Sequence, residues 1–158
     1  FADSTPGAGT TISIYLPRHH GPVEAQADDE APPPAATRRA RLLVVEDEAP
    51  ILELMQRVLE QAGYEVVACP DPRLALDSVE REAPVDLVIS DVIMPGMNGH
   101  ELVATLREKH PALPALFVSG YTAEVLEGLS EAERARSFLQ KPFQRGALLE
   151  RVQTLLGG

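Results

Sequence analysis

The chain of 158 residues has a single cysteine, Cys69, and few basic side chains. One cysteine excludes an intrachain disulfide and is typical of a reducing compartment, so we expect a cytoplasmic location and a buried Cys69. Lysine and arginine number 14 against 24 aspartates and glutamates, which gives a formal net charge of -10. This charge argues against direct binding to nucleic acid or to anionic membranes, because both depend on basic surfaces.

Long apolar segments are missing as well. No stretch approaches the roughly 20 residues that a membrane-spanning helix needs, and no signal peptide is visible. We therefore expect no membrane contact by this segment, although a longer parent protein can still be attached to a membrane. The chain starts at Phe1 rather than at a methionine, and we expect it to be a piece of such a parent. Its length has room for one ordinary domain and an appendage.

The first 39 residues differ in composition from the rest. In residues 1–17, Ile12, Ile14 and Leu16 alternate with polar residues, which predicts a half-buried strand without a partner in this chain. Residues 18–39 combine an acidic run with prolines and alanines, and this composition predicts a flexible linker. The pair His19-His20 has no cysteine or carboxylate at ligand spacing, which favours solvated histidines over a metal site.

Apolar strands alternate with amphipathic helices from residue 40 to residue 157. The patterns predict strands over 42–45, 65–69, 85–89, 115–118 and 137–140, and helices over 51–62, 71–82, 99–109, 122–129 and 145–156. Strands separated by helices imply crossover connections and a parallel sheet. We predict an α/β fold, a doubly wound five-stranded parallel sheet of flavodoxin-like order 2-1-3-4-5 with helices on both faces.

Polar side chains stand at the ends of four predicted strands. The first strand leads into Glu46 and Asp47, the third into Asp91, the fourth into Ser119 and the fifth into Lys141. Because the carboxyl ends of parallel strands meet at one edge of the sheet, we expect these side chains to converge. Three neighbouring carboxylates repel one another unless a cation lies among them, and all-oxygen ligation favours Mg2+.

A magnesium ion held by carboxylates commonly binds a phosphate oxygen as well, so the sequence predicts a phosphoryl group as the partner. An ionised Asp91 is then a nucleophile of the aspartyl-phosphate type. Lys141 and the Ser119 hydroxyl can neutralise further phosphoryl oxygens. Taken singly, Glu46-Asp47 also fits an acidic helix start, Ser119 a turn hydroxyl and Lys141 a solvated lysine. Their joint occurrence at successive strand ends favours phosphoryl chemistry.

Residues 41–157 resemble the receiver domain of two-component response regulators. The matching positions are the acidic pair Glu46-Asp47, the motif Asp91, Met94, Pro95, Met97 and Gly99, the hydroxyl residue Ser119, and the triplet Lys141-Pro142-Phe143. The resemblance implies that Asp91 is the phosphoacceptor. It also implies that Asp47, Asp91 and the backbone carbonyl of Ile93 ligate Mg2+ directly, while Glu46 acts through water.

The same resemblance implies a conformational switch. Phe138 matches the aromatic residue that turns inward when Ser119 moves towards the phosphate. We therefore expect phosphorylation to reshape the face formed by the fourth helix, the fifth strand and the last helix. Tyr121, two residues after Ser119, is bulky, and we expect it to shield the aspartyl phosphate from water.

The N-terminal residues resemble the end of the ATP-binding domain of sensor histidine kinases. Gly7, Gly9, Thr10 and Thr11 match its Gly-x-Gly-Thr-Thr turn, and the strand ends in Tyr-Leu-Pro. This implies the C-terminal receiver of a hybrid kinase, with no output domain after it. The implied partners are a histidine kinase or a histidine phosphotransfer protein, with a homodimer also compatible. The segment would assist its own phosphorylation and dephosphorylation but would not use ATP, because the ATP site lies outside this chain.

Two alternatives have a different chemistry. One is a non-phosphorylated interaction or dimerisation module that keeps the fold. The other is a phosphatase similar to the haloacid dehalogenases, which also form an aspartyl phosphate. That chemistry uses a second aspartate two residues after the nucleophile, where this sequence has Ile93.

Overall fold

The structure is a computed structural model that describes residues 2–5, 9–12, 15, 39–81, 84–120 and 137–157. Strands β1 (Ala2–Thr5) and β2 (Gly9–Ile12) form an antiparallel pair. The expectation that the N-terminal strand has no partner is therefore wrong. The alternation of Ile12 with its neighbours was visible in the sequence, but the polar segment Ala2–Thr5 has no such alternation and gave no strand signal.

A parallel sheet forms the body of the remaining chain. Its strands lie in the order β4-β3-β5-β6-β7, which is the predicted order 2-1-3-4-5 counted from β3. The prediction of a doubly wound fold is confirmed. The five strands are β3 (Arg41–Val45), β4 (Glu65–Cys69), β5 (Leu87–Asp91), β6 (Ala115–Ser119) and β7 (Phe138–Gln140).

Four helices connect or follow these strands within the described residues: α1 (Ala49–Gln61), α2 (Pro72–Arg81), α3 (Gly99–Lys109) and α4 (Arg145–Leu156). The helix predicted over 122–129 lies outside the described residues. None of the helices in the described segments has the length and apolar character that crossing a bilayer demands.

The helix ends follow local chemistry. Asp71 caps α2, since the backbone N–H of Arg73 donates to its Oδ1 at 2.7 Å, and Pro72 occupies the first helical position. Gly63 follows α1 with φ at 93°, a left-handed conformation that favours glycine. The predicted start of α2 at residue 71 and end of α1 at residue 62 each lie one residue from the observed end.

Strand β5 is displaced by two residues from its predicted range of 85–89. Asp86 pairs with the start of β3: its N–H donates to the Arg41 carbonyl at 2.7 Å, and its Oδ2 accepts from the Arg41 N–H at 2.8 Å. A carboxylate with these partners belongs to the edge of the sheet, so the buried strand begins at Leu87. As a result Asp91 is the last residue of β5 and not the first residue of the following loop.

Two apolar layers cover the faces of the sheet. Alternate strand residues point to opposite faces, so Leu42 and Ile89 pack with α1 and α4, whereas Val88 and Phe117 pack with α2 and α3. Burial on both faces explains why β5 and β6 are buried along their whole length. Side chains that react with a ligand can therefore lie only at the edges of the sheet.

Candidate functional site

Two buried carboxylates lie at the carboxyl edge of the sheet. Glu46 directly follows β3, and its N–H donates to the Cys69 carbonyl at 3.2 Å, so β4 holds the backbone at this point. The exposed fraction is 0% for Glu46 and 7% for Asp91, while Asp47 is exposed. Two buried acids close together need a positive partner.

Lys141 supplies that positive charge. Its Nζ donates to Glu46 Oε2 at 2.6 Å and to Asp91 Oδ2 at 2.7 Å. The backbone N–H of Lys141 donates to the Ser119 carbonyl at 2.9 Å. This hydrogen bond extends the pairing of β7 with β6 and holds the lysine backbone at the edge of the sheet. One ammonium group therefore ties the ends of three strands together with charge-assisted hydrogen bonds.

Burial dominates the protonation behaviour of the site. The pKa of Glu46 is raised to about 7, and burial is the largest cause; the hydrogen bond from Lys141 opposes burial, and the charge of Asp91 adds to it. Burial alone would lower the pKa of Lys141, but its hydrogen bonds to Asp91 and Glu46 outweigh burial and raise it. The site therefore favours any additional positive charge beside Glu46.

The arrangement of oxygen atoms fits a hard divalent cation. Glu46, Asp47 and Asp91 each offer a carboxylate oxygen, and these three atoms lie within 4.8 Å of one another. Carboxylate oxygens are the ligands that Mg2+ prefers, and Mg2+ usually keeps several waters beside one or two of them. The exposed Asp47 leaves one side of the group open to solvent and to a further ligand.

The turn after β5 packs tightly against Asp91. The N–H of Gly99 donates to the Val92 carbonyl at 3.0 Å, and a Cβ atom at position 99 would collide with the carbonyl oxygen of Asp91. Only glycine fits this approach of α3 to β5. Asn98 then caps α3 in a reciprocal capping box with Glu101, with hydrogen bonds of 2.9 and 3.0 Å.

Comparison with known proteins identifies the family of this chain. A family model, the response regulator receiver domain, matches residues 42–153. The chain belongs to the response regulator receiver family. Among its relatives is the sensor kinase CckA of Brucella abortus, 35% identical over 167 aligned residues that span 99% of this chain and 17% of that protein. The chain thus spans less than a fifth of the length of CckA.

Solved structures support the receiver assignment. The chemotaxis response regulator CheY4 of Vibrio cholerae is 33% identical and superimposes with a TM-score of 0.66 over 75% of this chain and 100% of that one. The receiver domain of the hybrid histidine kinase CckA is 36% identical, with a TM-score of 0.60 over 74% of this chain and 99% of that one.

The structure of the receiver domain brings most of the predicted site residues together. Glu46, Asp47, Asp91 and Lys141 form one cluster. Ser119 is 1% exposed and ends β6, one residue beyond the partner of Asp91 in the sheet.

The remaining predicted site residues lie around this cluster or outside the described chain. Ile93 is 47% exposed, and its N–H donates to Asp91 Oδ1 at 3.2 Å. Phe138 is half-buried and packs in the apolar layer that includes Phe117, on the α2 and α3 side of the sheet. Tyr121 lies outside the described residues.

Three neighbours of the site were not predicted. The capping box of Asn98 and Glu101 had a visible signal, an asparagine followed three residues later by a glutamate. His100 stacks on Phe117 with ring centroids 4.3 Å apart, and burial lowers its pKa. Ser90 is fully buried. Neither His100 nor Ser90 belongs to a sequence pattern, because their contacts depend on how α3 packs on the sheet.

Proposed function

We propose that this receiver domain accepts a phosphoryl group on Asp91 from a phosphohistidine. The observation that carries the proposal is the double hydrogen bond of Lys141 to Glu46 and Asp91. An ionised, nearly buried Asp91 presents a carboxylate oxygen next to a fixed ammonium group, which is the arrangement that aspartyl phosphorylation needs.

The chemical step moves one phosphoryl group. A carboxylate oxygen of Asp91 attacks phosphorus in line with the bond to the imidazole nitrogen, and that bond breaks. The electron pair stays on the imidazole nitrogen, which takes up a proton. Lys141 shifts its ammonium group towards a phosphoryl oxygen, and Ser119 donates its hydroxyl to another. Transfer to water later restores the carboxylate.

The proposed cofactor is Mg2+. Asp47, Asp91 and the backbone carbonyl of Ile93 would hold it directly, with Glu46 through water. When bound, the ion supplies positive charge that screens the carboxylates and neutralises a phosphoryl oxygen. The oxygen atoms of the acidic cluster support this assignment through their type and their mutual distances.

The proposed output is a change of surface shape. Phosphorylation adds about two negative charges beside Ser119. Ser119 moves towards them, and Phe138 fills the space behind it, which alters the face that includes β7 and α4. The position of Phe138 next to the layer of Phe117 supports this route, because its ring is already half-buried.

The proposed context is a hybrid sensor histidine kinase. Residues 1–17 would be the last part of an ATP-binding domain, residues 18–39 a linker and residues 40–157 the receiver. The similarity to the sensor kinase CckA supports this division, because it extends over 99% of the chain and so includes the N-terminal residues. The phosphoryl donor would be a histidine kinase or a histidine phosphotransfer protein.

Acetyl phosphate tests the proposal without a known partner. We expect the full chain to take up one phosphoryl group in the presence of Mg2+ and none with a chelator. Asp91→Asn should abolish uptake, whereas Asp77→Asn on the exposed side of α2 should leave it unchanged. Absence of uptake by the unmodified chain would favour an interaction module, and sustained hydrolysis of phosphate esters would favour a phosphatase.

Donor profiling tests the phosphohistidine part of the proposal. Purified histidine kinases and histidine phosphotransfer proteins, labelled on histidine, are incubated with the chain. We expect rapid transfer of the label from the histidine of one donor to Asp91. Uptake from acetyl phosphate but from no phosphohistidine donor would contradict it.

A further inference from the structure

A buried hydroxyl precedes the phosphoacceptor. Ser90 is 0% exposed and lies on β5 between Ile89 and Asp91. Its Oγ donates a hydrogen bond of 2.7 Å to the carbonyl oxygen of Asp91. A polar side chain in a strand that is buried along its whole length needs such a partner, and here the partner belongs to the reacting residue itself.

The carbonyl of Asp91 lies where the pairing of the strands ends. The N–H of Val92 donates to Val118 on β6 at 3.2 Å. In a trans peptide the C=O and N–H point in opposite directions, so the Asp91 carbonyl points away from β6. On that side the pairing of β3 with β5 ends at Val45 and Ser90, one residue before Asp91. The Ser90 hydroxyl therefore supplies a donor to a carbonyl that lies beyond the last paired residues of β3 and β5.

Helix α3 closes the space around this hydrogen bond. A Cβ atom at position 99 would lie 2.9 Å from Ser90 Oγ and would collide with the Asp91 carbonyl oxygen. The N–H of Gly99 donates to the next carbonyl, that of Val92. Ser90 and Gly99 thus hold the two peptide groups that follow the Asp91 Cα atom.

We propose that Ser90 is a positioning residue for phosphoryl transfer, which acts by fixing the Asp91–Val92 peptide and so the direction of the Asp91 side chain. This inference rests on the proposed function of Asp91. The contacts of the Asp91 side chain with Lys141 Nζ and the Ile93 N–H set its direction before the reaction, and one of its oxygens must then attack phosphorus in line with the bond that breaks. A rotation of its peptide tilts the Cα–Cβ bond and moves the carboxylate out of line.

The expected effect is a slower reaction in a folded protein. Loss of one hydrogen bond to a buried carbonyl corresponds to a rate lower by about five-fold. Ser90→Ala removes both the hydroxyl and volume. Ser90→Cys keeps the volume but has only a weak donor, and Ser90→Thr keeps the hydroxyl. If Ser90 positions Asp91, the variant that keeps the hydroxyl keeps most of the phosphorylation rate. If Ser90 only fills space, the variant that keeps the side-chain volume keeps most of the rate.

The experiment measures the rate of phosphorylation of the full chain by acetyl phosphate at saturating Mg2+, together with the thermal midpoint. We expect Ser90→Ala and Ser90→Cys to be slowed alike and Ser90→Thr to regain most of the rate, whatever the order of their midpoints. If Ser90→Ala does not fold, the comparison of Ser90→Cys with Ser90→Thr gives the same decision.

Three results would overturn the inference. Rates of the folded variants within two-fold of the rate of the unmodified chain would show that the hydroxyl does not matter, while the proposed function of Asp91 would stand. A Ser90→Cys rate equal to that of the unmodified chain, beside a slowed Ser90→Ala, would assign Ser90 to packing. Failure of the unmodified chain to take up phosphate would remove the proposed function and this inference with it.

Discussion

Replacement of Lys141 by methionine removes a positive charge that contacts both buried carboxylates. The change keeps an unbranched side chain of similar length and removes the charge. In the absence of Mg2+ it leaves Glu46 and Asp91, 0% and 7% exposed, without the ammonium group that both contact. Removing one partner of a buried ion pair destabilises a protein by about 3 to 5 kcal/mol, and we expect Lys141→Met to lower the free energy of unfolding by this amount.

The pH dependence of this loss identifies its cause. The hydrogen bond from Lys141 lowers the pKa of Glu46, so its removal raises that pKa above the value of about 7 in the unmodified protein. Below that pKa Glu46 takes up a proton and no longer repels Asp91. The destabilisation should therefore be larger at about pH 8 than at about pH 6. The proposed Mg2+ should recover part of it, because an ion held only by the folded cluster would stabilise the folded state.

Urea unfolding followed by circular dichroism in the presence of a chelator measures the effect, since the chain has no tryptophan. The matched control is the same replacement at the chain's other lysine, Lys109, which is exposed at the end of α3. We expect Lys109→Met to change the free energy of unfolding by less than about 0.5 kcal/mol. Equal losses in the two variants, or a loss at Lys141 that does not depend on pH, would contradict a stabilising role of the Lys141 ion pairs.

Three further predictions concern the surroundings of the site. Asn98→Ala removes the capping box with Glu101 and should lower the free energy of unfolding by about 1 kcal/mol in urea titrations, while Asn98→Asp should retain most of it. Because burial lowers the pKa of His100, the unfolded chain binds the proton more tightly, so stability should fall as the pH drops below about 6.5. His100→Phe should reduce that slope, by at most about 1.4 kcal/mol per pH unit, and an unchanged slope would contradict the prediction. Tyr121→Ala should shorten the lifetime of the phosphate on Asp91, measured after removal of the donor, and equal lifetimes would rule out shielding.

The fold was predictable because its signals repeat along the chain. Each buried strand is a short apolar run, and each crossover carries a helical period, so the order of the sheet followed from topology. The boundary of β5 was not predictable in the same way. Asp86 interrupts the apolar run, and only its hydrogen bonds to Arg41 show that the strand starts after it. The pairing of β1 with β2 was missed because Ala2–Thr5 has no apolar alternation.

The sequence was enough to predict which residue types form the candidate site, but it did not predict the contacts between their side chains. Strand ends brought Glu46, Asp91 and Lys141 to one edge, which their positions in the sequence implied. The sequence does not show that one ammonium group contacts both acids, because this depends on the direction of each side chain. The roles of Ser90 and Gly99 were hidden for the same reason, since they arise from the packing of α3 on β5.

The most direct test of Asp91 as the phosphoacceptor is 19F NMR of the full chain with beryllofluoride, an analogue of the phosphoryl group. We expect resonances of one bound adduct that require Mg2+, disappear in Asp91→Asn and remain in Asp77→Asn. An adduct that forms without Mg2+, or that persists in Asp91→Asn, would contradict the assignment of Asp91 as the phosphoacceptor.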